Sequence, residues 1–360
     1  IFALGANYQI NSKLRAYGRH ELVSSISGLY DLNSNQRRNV TVFGLDSKYN
    51  NNGTAFSEYR IRDGISAREA EAAIGLRNRW ELEKGFYATT SFEQVKSLSK
   101  ADTDNQNSDN TAASLGVEYL ANPNWKAVAR IEARWADQSD TILNNLGIAY
   151  KYSDDVTLLA KNVVSLTDSK GENSGDRLVD RFQVGAAYRD TEHNRFDALT
   201  KVEYRYDSNK SDLNNPYLKH VYIFSNHLNY HPSRDITLSG QYAVKNVDTT
   251  FSGLESSGMT HMLSGRAMYD INERWDAGIH TGVLWSNMSS GRRVLVGGEV
   301  GYLLAANLWL SGGYNFSGYK DDDLVDSDTT LQGAYVRFRF KFDENLFSRN
   351  NSTVNASREP

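Results

Sequence analysis

The sequence predicts an all-β chain folded as a transmembrane, antiparallel up-and-down β-barrel of about 20 strands. Three observations predict it. Apolar and polar residues alternate with period two along nearly the whole chain, short and long connectors take turns between the alternating segments, and aromatic residues gather beside the short connectors. Alternation at 180° per residue places one set of side chains on each side of a sheet. No segment of comparable length keeps a 3.6-residue period, so essentially no helix is expected.

Taken in order, about 19 segments read as strands: 1–10, 13–23, 38–49, 54–63, 68–82, 86–98, 111–121, 125–136, 141–152, 156–167, 178–190, 195–207, 220–230, 235–247, 259–270, 274–287, 294–304, 308–319 and 330–342. In 68–82 the apolar face carries Ala70, Ala72, Ile74, Leu76, Trp80 and Leu82, against Glu69, Glu71, Arg77, Arg79 and Glu81. Trp125–Trp135 sets Trp125, Ala127, Ala129, Ile131, Ala133 and Trp135 against Lys126, Val128, Arg130, Glu132 and Arg134. In 181–189, Phe182, Val184, Ala186 and Tyr188 oppose Arg181, Gln183 and Arg189, and in 334–342 Ala334, Val336, Phe338, Phe340 and Phe342 oppose Tyr335, Arg337, Arg339 and Lys341. Short connectors such as Asn11-Ser12, Glu83–Gly85 and Ile271–Glu273 interleave with longer polar ones at 24–37, 99–110, 168–177, 208–219, 248–258 and 320–329; 64–67 and 137–140, on the long side, are also short. Short turns at one rim and long loops at the other are the periplasmic and extracellular rims of an outer-membrane barrel.

Composition narrows the class further. The 360 residues include no Cys, which rules out disulfides and thiolate metal sites. Lys and Arg number 40 against 44 Asp and Glu, with no basic stripe, so a nucleic-acid partner is not expected. Mean hydropathy is −0.58, and no apolar run approaches the roughly 18–20 residues of a membrane helix; barrel strands need only about 9–11. The chain opens inside a strand-like segment, Phe2–Tyr8, without a visible signal peptide.

A soluble sheet with one buried face would alternate too. So many strands, however, enclose a space that side chains cannot fill, since about eight strands is the filled size. Long charges in mid-strand, such as Arg60, Lys161 and Lys201, suit a water-filled lumen. Tyr49, Trp80, Tyr119, Trp125, Tyr188, Tyr269, Trp275 and Tyr302 sit on the apolar face beside short turns, as an aromatic girdle at a membrane interface requires. The expected location is the bacterial outer membrane. Because single-chain bacterial barrels have even strand numbers, one further strand is expected upstream of Ile1.

Leu308–Asp323 (LWLSGGYNFSGYKDDD), Gly333–Phe347 (GAYVRFRFKFDENLF) and Glu58–Arg79 resemble the C-terminal barrel of very large, repeat-containing bacterial surface proteins. The resemblance implies an outer-membrane conduit or anchor for a larger polypeptide and transfers no functional residues. Here the chain continues past its aromatic strand, so residues 1–347 are expected to form the barrel and Ser348–Pro360 a disordered polar tail. Tyr335–Phe342 would then act as an internal signal for the barrel-assembly machinery.

Candidate chemistry is sparse. Asp321, Asp322 and Asp323, with Asp326 and Asp328, crowd one loop that could hold a divalent ion or bridge to lipopolysaccharide phosphates; a solvated acidic loop is the favoured reading. His220 and His261 are conceivable bases at the outer rim, but no hydrolase motif accompanies them, and the chain is expected not to be an enzyme and to need no cofactor. Arg77, Arg79, Arg130, Arg134, Arg181, Arg189, Arg205, Arg337 and Arg339 should line the lumen with Glu69, Glu71, Glu132 and Glu203. Mixed signs favour cross-strand ion pairs over a dedicated selectivity filter. The expected partners are outer-membrane lipid and lipopolysaccharide, the assembly machinery, and an upstream domain or another protein in the lumen. A conduit or anchor is the first functional expectation, a porin for small polar solutes the second, and an outer-membrane enzyme the third.

Overall fold

A computed structural model describes residues 2–23, 38–63, 68–98, 109–171, 174–211, 213–305, 308–319, 321, 323–324 and 331–340. They form a single 19-stranded sheet in which each strand pairs antiparallel with its neighbours in sequence. The strands are β1 (Phe2–Gln9), β2 (Leu14–Val23), β3 (Arg38–Lys48), β4 (Gly53–Asp63), β5 (Arg68–Glu83), β6 (Phe86–Ser97), β7 (Asn110–Tyr119), β8 (Trp125–Ala136), β9 (Ser139–Lys151) and β10 (Val156–Ser169). They continue as β11 (Asp176–Arg189), β12 (Phe196–Asn209), β13 (Tyr217–Ser233), β14 (Ile236–Phe251), β15 (Leu254–Asp270), β16 (Trp275–Ser286), β17 (Ser289–Ala305), β18 (Leu308–Ser317) and β19 (Gly333–Phe340). The architecture is an up-and-down β-barrel; β1 and β19 are its edges and do not pair with each other among the described residues.

The short turns are built from side chains that cap their own backbone. Asn11 Oδ1 accepts from the Lys13 and Leu14 amides, and Asn272 Oδ1 does the same for Arg274 and Trp275. Gly85 turns β5 into β6 at φ +75°, where a Cβ would sit 2.7 Å from the Ala121 backbone.

Two long connectors expected from the sequence are corrected. Residues 248–258 are strand on both sides of a turn at Ser252-Gly253, where φ is +47° and +83°, and 208–219 shortens to 210–216. Above the apolar band Asp248, Thr249 and Thr250 pair with Ser257, Ser256 and Glu255 although no apolar alternation marks them. Ladder hydrogen bonds need no apolar face once side chains on both sides meet water. Hence β13 and β15 each run to 17 residues, about 55 Å of chain at 3.3 Å per residue.

The two faces of the sheet are sorted opposite to a water-soluble protein. Large hydrophobics on one face are exposed, Ile279 at 70%, Phe338 at 69% and Phe43 at 56% among them, while Glu58, Glu71, Glu203 and Glu299 on the other are buried. The face with the buried carboxylates is concave, because Asp323, six residues beyond the end of β18, reaches Arg205 on β12, six strands away. An apolar outside and a charged inside fit lipid around water. The chain is an outer-membrane barrel.

Candidate functional site

The candidate site is the inner face. Because strand register alternates faces, the charged residues of successive strands fall into rows across the wall. Glu203 lies opposite Gln183 on β11, with Arg181 and Arg205 in the adjoining positions. Its fully buried carboxylate accepts from Arg181 Nε at 2.6 Å, from Gln183 Nε2 at 2.7 Å and from Arg205, and Lys201 stands 3.2 Å away. On the facing part of the wall, Arg60 grips Glu93 with both terminal nitrogens at 2.9 Å and Glu58 with Nε at 2.7 Å. Arg79 reaches Glu118 at 3.0 Å, and Glu132 takes Arg130 at 2.7 Å and Arg134 at 3.1 Å. Arg337 stands 3.8 Å from Glu299, which also holds Arg266. Arg189 ends β11 opposite Asp197, and Glu71 is buried opposite Arg60. The side chains of Glu69 and Arg339 lie outside the described residues.

Asp321 and Asp323 do not form the solvated acidic loop the sequence suggested. Tyr319, Asp321, Asp323 and Leu324, which follow β18, lie on the inner face against β12–β17. Lys245 Nζ donates to both oxygens of Asp321 at 2.9 Å and to Asp323 Oδ2 at 3.0 Å, and Arg205 donates to Asp323 Oδ1. Two cations hold these carboxylates, and the Asp323 and Leu324 amides also donate to Asp321 Oδ1. Beneath the loop, Val221, Ile223, Ala243, Met262, Leu284 and Leu295 form an apolar patch on the inner wall, covered by Tyr319 and Leu324. The sequence predicts a polar lumen, and this patch is an apolar stretch of its wall. Its burial, at about 25 cal/mol per Å2, and the ion pairs together draw the loop inward. Burial raises the Tyr319 hydroxyl to a pKa of about 12. Burial also pushes the Asp323 carboxyl up, but Arg205 and Lys245 outweigh it and hold it below the usual carboxylate range. Asp322, Asp326 and Asp328 lie outside the described residues, and no group of three or more metal-ligating side chains occurs among the described ones.

Outside, the expected girdle residues stack beside the short turns: Tyr119 on Trp125 at 4.3 Å and Trp275 near Tyr302 at 4.7 Å. Tyr188 lies 5.9 Å from Phe196, and the Tyr49 hydroxyl donates to Asn78. Trp80 and Tyr269 occupy the same outer face. Sequence reading missed a second aromatic band toward the other rim, with Tyr204 and Tyr222 at 5.1 Å, Tyr206 and His220 at 5.2 Å, and His261 stacked on Trp285 at 5.0 Å. His220 and His261 belong to this band, each within hydrogen-bond reach of a tyrosine hydroxyl, at 3.0 and 3.2 Å. The signal was present as alternate aromatics in Tyr204–Tyr222, but it lies far from any short turn.

No family model and no curated protein matches the chain. Solved structures of similar fold include OmpTΔL8, a loop-deletion mutant of an outer membrane protein of Vibrio cholerae, at 11% identity and TM-score 0.41, covering 83% of this chain and 98% of that one. A bacterial polysaccharide outer membrane secretin shares 10% identity at TM-score 0.38, over 84% and 98% of the two chains. OprD of Pseudomonas aeruginosa shares 12% at TM-score 0.36, over 79% and 91%. These likenesses concern fold alone. The expectation that the chain is not an enzyme does not stand, because a barrel fold does not confine a chain to passive roles. The resemblance to repeat-containing surface proteins rests on the sequence segments alone.

Proposed function

We propose that the chain is a diffusion channel for small polar solutes, narrowed by its own inward loop. The observation that carries this reading is the attachment of Asp321 and Asp323 to Lys245 and Arg205 across a charged inner face. A loop fastened to one side of the wall reduces the bore without sealing a barrel of this strand number, which lies between open 16–18-stranded porins and plugged 22-stranded transporters. The paired charges of both signs predict weak ion preference, weaker still at high salt. The test is swelling of proteoliposomes loaded with an impermeant polymer and challenged with sugars and amino acids of increasing size. Rates that fall smoothly with size support the channel; no swelling despite verified insertion overturns it.

A conduit or anchor for a larger polypeptide is the second reading, favoured by the resemblance of Leu308–Asp323 and Gly333–Phe347 to the barrels of large surface proteins. A barrel occupied by its tethered chain would stay closed to even the smallest sugar when purified with that chain.

A further inference from the structure

On the wall built by β4–β9, away from the loop, the inner face opens toward the short-turn rim into a cavity of about 530 Å3. Arg77, Arg79 and Arg130 line it together with Thr89, Ser91 and Ser114. Register brings them together: Arg79, Thr89, Gly116 and Arg130 are successive partners from β5 to β8, and Arg77, Ser91 and Ser114 form the next row. Gly116 keeps the space between the arginines open, since a Cβ there would come within 2.6 Å of Thr89 Oγ1.

Each guanidinium is held in a way that leaves donors over. Arg77 lies on the Phe56 ring, 3.9 Å from its centroid, and Arg79 on Tyr87 at 3.7 Å. Stacking uses the flat face of the group and leaves its in-plane N–H fork available. Arg79 reaches Glu118 and Arg130 reaches Glu132 with one terminal nitrogen each, and Arg77 stands 3.8 Å from Glu58, a carboxylate that also takes Tyr17 and Arg60. The three side chains remain 54%, 51% and 52% exposed. Ser91 and Ser114 bond each other at 2.7 Å, which leaves one of their two hydroxyl protons to donate elsewhere. Among the charged lining residues three are cations and Glu118 is the anion.

We propose that this cavity is a binding station for small oxyanionic solutes, compounds that present a carboxylate or a phosphate to the arginine forks. The station deepens the channel reading and rests on it. A guanidinium fork matches the paired oxygens of either group, and hydroxyl donors beside it complete the shell. A solute entering from the loop side would pass the Lys245–Asp321 link on one wall and meet the arginines on the other before leaving at the short turns.

The experiment uses the full chain in planar bilayers, with sodium phosphate and sodium acetate added to one side at constant ionic strength and glucose as the uncharged control. Both anions should reduce the potassium chloride current in a concentration-dependent way, and their ratio separates phosphate from carboxylate preference. Replacing Arg77→Gln, Arg79→Gln and Arg130→Gln should weaken the block by about tenfold or more per charged donor lost. Ser91→Ala with Ser114→Ala, which leaves every ion pair in place, should weaken it by about threefold and serves where the arginine variants fail to assemble. A conducting wild type that neither anion blocks, an equal block by glucose, or a block unchanged in both variants overturns the station and leaves the channel standing. Silent membranes with verified insertion overturn both.

Discussion

Lys245 holds both oxygens of Asp321 at 2.9 Å although the two residues lie 76 positions apart, one in mid-strand on β14 and the other in the loop beyond β18. Strand pairing joins neighbouring strands; this contact, with Arg205–Asp323, reaches past the neighbours and sets where Asp321 and Asp323 lie.

Removing the ammonium should free the loop. Lys245→Met takes from Asp321 its charged donor, leaving it the Asp323 and Leu324 amides, and leaves Asp323 with Arg205 as its cation. Charge-assisted hydrogen bonds contribute about 1.5–3 kcal/mol each, so the balance between inward and released loop should move by about tenfold or more. Single-channel records should show a larger mean conductance and more frequent transitions. Conductance equal to wild type would mean that the loop does not narrow the bore.

The same link should respond to acid. The Asp323 carboxyl is held below its ordinary 3.8 in the folded chain, so its contribution is present above that value and is lost as pH falls through the lowered one. Conductance should be flat from about pH 8 to 5 and rise only below about pH 4. A rise centred near pH 6 would point to a histidine instead.

Lipid contact is tested at Ile279, in mid-strand on β16 and 70% exposed. A residue so exposed in water tolerates Lys within about 0.5 kcal/mol. Facing a bilayer midplane, Ile279→Lys should cost about 2–4 kcal/mol in urea unfolding from liposomes. A neutral result would remove the lipid from that face.

Cysteine scanning through Trp125–Trp135 with a membrane-impermeant thiol reagent should label positions 130, 132 and 134 and spare 129, 131 and 133. Arg130 and Glu132 form an inner-face ion pair, while Ile131 is 49% exposed on the other side. Labelling every third or fourth position would contradict the strand.

Glu203→Gln should destabilise the wall by about 2–3 kcal/mol, below the usual cost of breaking a buried pair because Arg181 and Arg205 keep partial access to water. Arg181, Lys201 and Arg205 would then share one neutral acceptor. Heat-modifiability on gels gives the readout, and an unchanged transition would assign the cluster to conduction alone.

The strands were legible because local and tertiary demands coincide where lipid meets one face. Trp125–Trp135 alternates in sequence and is β8 in the structure. Asp248–Thr250 and Glu255–Ser257 were read as loop because both faces there meet water and alternation carries no signal. The inward loop was illegible for another reason: what holds Asp321 and Asp323 is Lys245 and Arg205, and nothing near Asp321 in sequence names residues so distant. Arg77, Arg79 and Arg130 were each readable as inner-face charges, but their meeting in one cavity depends on register across β5–β8, which a linear reading does not provide.

The strand count has a geometric consequence. In an antiparallel series of 19, the first and last members run in the same direction. A seam made directly between β1 and β19 would therefore be the sheet's one parallel ladder, with evenly spaced, slanted bonds in place of the alternating narrow and wide pairs found elsewhere. It would also be the one join with no covalent hairpin to fix its register. Each other junction re-forms under the guidance of its own turn; a direct β1–β19 join would have to find its alignment by side-chain fit alone.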